Sequence, residues 1–83
     1  MQGYKLVILT NSFVYVGDVT PTDGGILISN TFNVREWGTT KGLGELARGG
    51  PTPKTKCDEV GVVFAPTHAI IDLMSTDKAN WKL

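Results

Sequence analysis

With 83 residues the chain makes one domain, 1–83, and a domain this small buries only about 60–65% of its unfolded surface, leaving a marginal core. Eight Lys plus Arg balance eight Asp plus Glu, so bulk charge argues neither for duplex nucleic acid nor for a membrane surface. Cys57 is the only cysteine, which excludes an internal disulfide scaffold, and no run approaches the roughly 18 apolar residues of a membrane-spanning helix. No basic segment followed by a signal-length apolar run opens the sequence, so the expected location is the cytoplasm.

In chain order, Tyr4 to Thr10 is β-branched and apolar and reads as a strand, with Leu6 to Leu9 apolar on both faces. Asn11-Ser12 suits a turn or bulge. Phe13 to Thr20 is a second strand, and Gly17 inside it marks the bend that small barrels need. Pro21 to Gly25 is a turn in which Asp23-Gly24 supplies the positive φ. Gly25 to Ser29 is a third strand. After a break at Asn30, Phe32 to Trp37 alternates as a fourth. Val60 to Phe64 and His68 to Met74 are the last strands, hinged at Ala65-Pro66-Thr67. The sum is an all-β fold: a small barrel of five or six strands with one short helix at about 40–48. The order resembles SH3-like and Sm-like barrels.

The stretch from Trp37 to Arg48 departs from strand character. Thr39 or Thr40 is a suitable helix N-cap, and Leu43, Leu46 and Ala47 share one helix face. Free N–H groups at a helix start favour an anion. Lys41 adds a positive charge there, and Trp37 a flat ring for stacking. Equally, the helical turn can plug the open end of a barrel with Trp37 in its core. Residues 35–56 carry five cations, Arg35, Lys41, Arg48, Lys54 and Lys56, against Glu36 and Glu45, a net charge of +3. That is too little for a duplex but enough for one small anionic ligand. The loop from Gly49 to Lys56 has two glycines and two prolines, and Arg48 just before it, with Thr52, Lys54 and Thr55 in it, can fold over such a ligand. The candidate ligand-binding residues are therefore Trp37, Thr39, Thr40, Lys41, Arg48, Thr52 and Lys54.

Catalytic and metal chemistry find little support. His68 and Cys57 are the only residues of their kinds, and no orienting third group or oxyanion site accompanies them. No Cys or His pair stands at ligand spacing. Asp58-Glu59 diverge in an extended segment, and Asp18 and Asp23 flank a turn, so no paired carboxylates arise. Arg48-Gly49-Gly50-Pro51-Thr52 lacks the spacing of a phosphate loop. No enzyme, metal or cofactor is expected.

The string from Asn30 to Arg48, with Arg35-x-Trp37-Gly38 followed by Leu43-Gly44-Glu45-Leu46-Ala47, resembles a family of short phage and prophage proteins. Pro51-Thr52, Thr55, the Val-rich strand, Pro66, the Ile-rich strand and Trp81 extend the likeness over most of the chain. The resemblance implies no catalytic residues. It implies an accessory binding protein in the host cytoplasm that counters host defence signalling by sequestering a small, nucleotide-derived anion. The alternative is a module that binds a host or phage protein through a strand edge or the Trp81 tail. Apolar groups on both faces of several strands further predict a homo-oligomer.

Overall fold

The computed structural model describes residues 2–40 and 42–81. The β-branched runs form five strands: β1 (Gly3–Leu9), β2 (Val14–Thr22), β3 (Gly25–Glu36), β4 (Lys56–Pro66) and β5 (Ile70–Ser75). One helix, α1 (Leu43–Gly49), lies between β3 and β4, and 3-10 turns cover Thr67–Ala69 and Lys78–Asn80. All strands belong to one antiparallel sheet of order β4-β3-β2-β1-β5. The fold is mainly β with one short helix, as the sequence predicts.

The two edge strands are consecutive in the chain, and this dictates the curvature of the sheet. In a flat sheet β4 and β5 would lie four strand spacings apart, roughly 19 Å. The link from Pro66 to Ile70 reaches at most about 14 Å even when extended, and here it is tightened by the 3-10 turn. The sheet must curl until its edges approach at that end. Two backbone bonds pin the link there: Thr67 N–H donates to Gly24 O at 3.0 Å and Thr10 N–H to Ala69 O at 2.8 Å.

Bulges supply the bend. Val16 lies opposite Phe32 but Asp18 lies opposite Ser29, so β3 carries an extra residue there. Asn30, at φ 50°, occupies the left-handed conformation that Asn tolerates. Its side-chain amide donates to Asp18 Oδ2 at 3.2 Å, and the buried Thr31 hydroxyl donates to Ile28 O at 2.8 Å. The expected break at Asn30 is thus a bulge within one strand of 12 residues, because local hydrogen bonds rescue the irregular backbone. Gly17 faces this bulge. A Cβ on it would stand 2.8 Å from both Ile28 Cγ2 and Ser29 O, so the close approach requires glycine.

The core has two parts, on opposite faces of the sheet. Val7, Leu9, Val19, Ile26, Ile28 and Ala65 form one, with Val63 of β4 and Ile70 and Leu73 of β5 packed against it, so the sheet wraps around this cluster. Leu6, Val14, Val16 and Val34 form the other, beneath Leu46, Ala47 and Trp81. β1 is therefore buried on both sides, which explains its continuous apolar run. α1 is only seven residues long, but α1 and the segment after β5 cover this face together. Thr76 Oγ1 donates to Ala47 O, Trp81 Nε1 donates to Thr76 Oγ1 at 2.8 Å, and Asn80 Nδ2 donates to Arg48 O at 3.4 Å. Lys78 pairs with Asp18 at 3.2 Å and stands over the Tyr4 ring.

Trp81 is 5% exposed, so Trp81→Ala removes a ring from the centre of the helix-covered cluster. The expected cost is about 3–5 kcal/mol, read as a lowered urea midpoint in far-UV circular dichroism. A loss of less than about 1 kcal/mol would show that Trp81 is not part of the core.

Candidate functional site

Of the seven residues singled out from the sequence, the six that are described fall into three places. Trp37, Thr52 and Lys54 meet where β3 ends and the loop before β4 begins. Thr55 Oγ1 donates to Trp37 O at 2.6 Å and Thr52 Oγ1 donates to Gly38 O at 2.9 Å. Each hydroxyl also accepts a backbone N–H: Thr55 from Thr52 at 2.8 Å, Thr52 from Lys54 at 3.2 Å. Both threonines are thus committed to stitching 52–55 onto 37–38. Gly38, at φ 68°, is required by the closeness of the two segments, since a Cβ there would sit 2.4 Å from the Lys54 carbonyl carbon.

Thr39 and Thr40 lie before α1, but neither caps it. The N-cap is Gly42, with no side-chain cap bond. Thr39 Oγ1 donates to Gly42 O at 2.8 Å, and Thr40 Oγ1 donates to Glu45 Oε1 at 3.1 Å. The glycine-rich stretch gives the chain an irregular entry, φ 77° at Gly42, that displaces the start of the helix past both threonines. Glu45 places a carboxylate in the first turn, where the sequence predicts an anionic ligand. Lys41 lies outside the described residues. Arg48 is exposed in the last turn, at the other end of a helix about 10 Å long. The six described residues do not converge, and no cavity is found among the described residues.

Trp37 is not a core residue, since 42% of it is exposed. The core tryptophan is Trp81. This also corrects the expectation of a Trp81 tail free to bind a partner: its ring is buried and its indole N–H already donates to Thr76.

The Cys57–His68 pair is excluded by geometry. Cys57 is the second residue of β4 and His68 lies beyond its end, which separates them by most of an 11-residue strand, roughly 30 Å. Cys57 is half-buried, and its thiol is pushed above the usual range by burial and then by the Asp58 charge, with Arg35 opposing. Arg35 Nε and Nη2 hold Asp58 at 2.8 and 3.4 Å in an exposed, two-pronged ion pair. Among the described residues no group of three His, Cys, Asp or Glu can hold a metal.

A different surface stands out. Val60, Val62 and Phe64 on β4 are 45%, 69% and 51% exposed. Leu27 of β3, directly opposite Phe64, adds to the patch. The sequence signal was the run Val60-Gly61-Val62-Val63-Phe64. What single-strand patterning could not reveal is that β4 is an edge. Comparison with protein-family models, with curated proteins and with solved structures finds no match, so residues and geometry alone carry the functional reading.

Three outcomes are expected. Thr52→Val and Thr55→Val each remove a bond to a backbone carbonyl and should cost about 1 kcal/mol, whereas Trp37→Ala should cost less than Trp81→Ala in the same denaturation series. For Cys57, a raised pKa leaves less thiolate at pH 8.5 than an unstructured cysteine peptide has. Iodoacetamide should therefore alkylate the folded protein more slowly than the peptide, and equal rates would contradict the burial.

Proposed function

We propose that this protein is a non-catalytic interaction module that takes up a protein strand along the free edge of β4. One observation carries the reading: β4, 11 residues long and outermost in the sheet of the described residues, presents Val60, Val62 and Phe64 to solvent. Natural sheets guard such edges with charge, proline, cover or bulges, and the Val60–Phe64 segment has only a bulge, at Val60 and Gly61. Strand addition supplies main-chain hydrogen bonds for affinity and side-chain contacts at alternate positions for specificity. In the phage setting that the sequence resemblance implies, the strand belongs to a host or phage protein or to another copy of the chain.

Sequestration of a nucleotide-derived anion is the second reading, and it rests on Trp37. Its ring is exposed, its carbonyl is tied by Thr55, and the Lys54 backbone runs close to the neighbouring Gly38. Against it stand the threonine hydroxyls, which already donate to neighbouring groups, and the Glu45 carboxylate at the helix start.

The test compares the wild type with the Val62→Lys, Phe64→Lys double variant, both sites being exposed and so compatible with folding. Any chain that the wild type holds in chemical cross-linking is expected to be lost from the variant. A partner retained equally by both would place binding elsewhere. A thermal-shift panel of nucleotides and cyclic dinucleotides is expected to be flat. A shift of several degrees that vanishes in Trp37→Ala would establish the second reading instead.

A further inference from the structure

The layer over Leu6, Val14, Val16 and Val34 is made of two pieces far apart in the chain, and neither is self-sufficient. α1 has seven residues, two of them glycine, and its N-cap Gly42 offers no side-chain bond. Isolated helices shorter than about 12–15 residues are marginal in water even without glycine. The other piece, residues 76–81, holds one 3-10 turn, in which Asp77 Oδ1 accepts from Ala79 N–H at 3.0 Å. Its one buried side chain is Trp81. Each piece keeps its shape only where it is docked.

The two pieces complete each other at the end of the helix. The last carbonyls of an α-helix lack partners within it. Here Leu46 O accepts from Gly50 N–H at 2.8 Å, Ala47 O from Thr76 Oγ1, and Arg48 O from Asn80 Nδ2 at 3.4 Å. The segment after β5 thus acts as the C-terminal cap of α1. Gly50, at φ 79°, lets the two backbones meet, since a Cβ on it would stand 2.6 Å from Asn80 O. The Thr76 hydroxyl is the joint: it donates to the helix and accepts the Trp81 indole N–H at 2.8 Å. Ala47 is buried, so withdrawing that hydroxyl leaves its carbonyl without the donor it has here. Lifting α1 in turn takes Leu46 and Ala47 out of the cluster that holds Trp81.

The strands beneath have support of their own. The cluster of Val7, Val19, Ile26 and Ile28 lies on the other face, and the bonds of Asn30 and Thr31 hold the bulge. The excursion that carries α1 is tied at its base, where Thr55 and Thr52 donate to the carbonyls of Trp37 and Gly38. α1 can therefore leave the sheet while β3 and β4 keep their places. Native proteins open locally in cooperative units at a lower free energy than global unfolding. We propose that α1 and residues 76–81 are one such unit, a two-part lid that closes over and leaves this face as a whole, joined by the Thr76 hydroxyl. Coupling of this kind is reciprocal, so whatever steadies the helix steadies the C-terminal piece by the same factor.

Native-state hydrogen exchange of the full chain, followed by NMR, tests this with one reporter on each piece. They are the Gly50 amide, bonded to Leu46 O, and the Trp81 indole N–H, bonded to Thr76 Oγ1. Both are expected to show one protection factor, below that of the most protected amides of β2 and β3. Gly44→Ala places a methyl group where nothing lies within 4 Å, and so strengthens the helix without touching the C-terminal piece. It should raise the protection of both reporters about fivefold. Thr76→Val should lower both about tenfold. Thr76→Ser should restore both, because the hydroxyl and not the methyl group makes the joint. A Gly44→Ala effect confined to Gly50 would overturn the coupling. Full protection in Thr76→Val with loss in Thr76→Ser would remove the hydroxyl from its role. Reporters as well protected as β2 and β3 would overturn the lid, since the layer would then leave only when the whole chain unfolds.

Discussion

The short passage from Pro66 to Ile70 is the constraint on which the rest depends. It joins the two outermost strands of a five-stranded sheet with too few residues to cross a flat one. Curvature is therefore compulsory, and the sequence supplies it at particular residues. Gly17 permits close approach, Asn30 adopts the left-handed backbone, and the Thr31 hydroxyl satisfies the carbonyl of Ile28. The curl encloses one cluster and turns the opposite face outward, where α1 and Trp81 complete a second layer.

Much of this was legible in the residues. The strands, the Asp23-Gly24 turn and the bend at Gly17 follow from local chemistry, since each depends on neighbours two or three positions away. The continuity of β3 through Asn30 was not legible, because its bulge is held by Asp18 on another strand. The roles of the two tryptophans were also hidden. Trp37 and Trp81 both sit among polar residues, and only pairings distant in the chain bury the second and expose the first. The same holds for the edge: an apolar strand reads alike whether it lies at the centre of a sheet or at its rim.

The candidate site shows how a cluster of suitable residue types can be engaged by the backbone. Hydroxyls, glycines and an aromatic ring gather between 37 and 55, as the sequence indicates. The hydroxyls of Thr39, Thr52 and Thr55 donate to carbonyls, and that of Thr40 to a carboxylate. A loop rich in Gly and Pro lacks regular partners for its main chain, so nearby threonines supply them. The composition that suits ligand binding is also what an irregular connection needs to hold its shape.

The position of β1 has a kinetic meaning as well as an architectural one. It lies between β2, its immediate neighbour in the chain, and β5, which it meets across a separation of 70 residues at Lys5 and Ser75. The hairpins β1–β2 and β2–β3 close short loops and can form early, whereas docking β5 means closing nearly the whole chain on itself. Until that happens, Leu6 and Met74 lack each other as neighbours, and the face later covered by Trp81 stands open to water. The pairing of the first strand with its second partner therefore carries the largest loop-closure cost in the sheet.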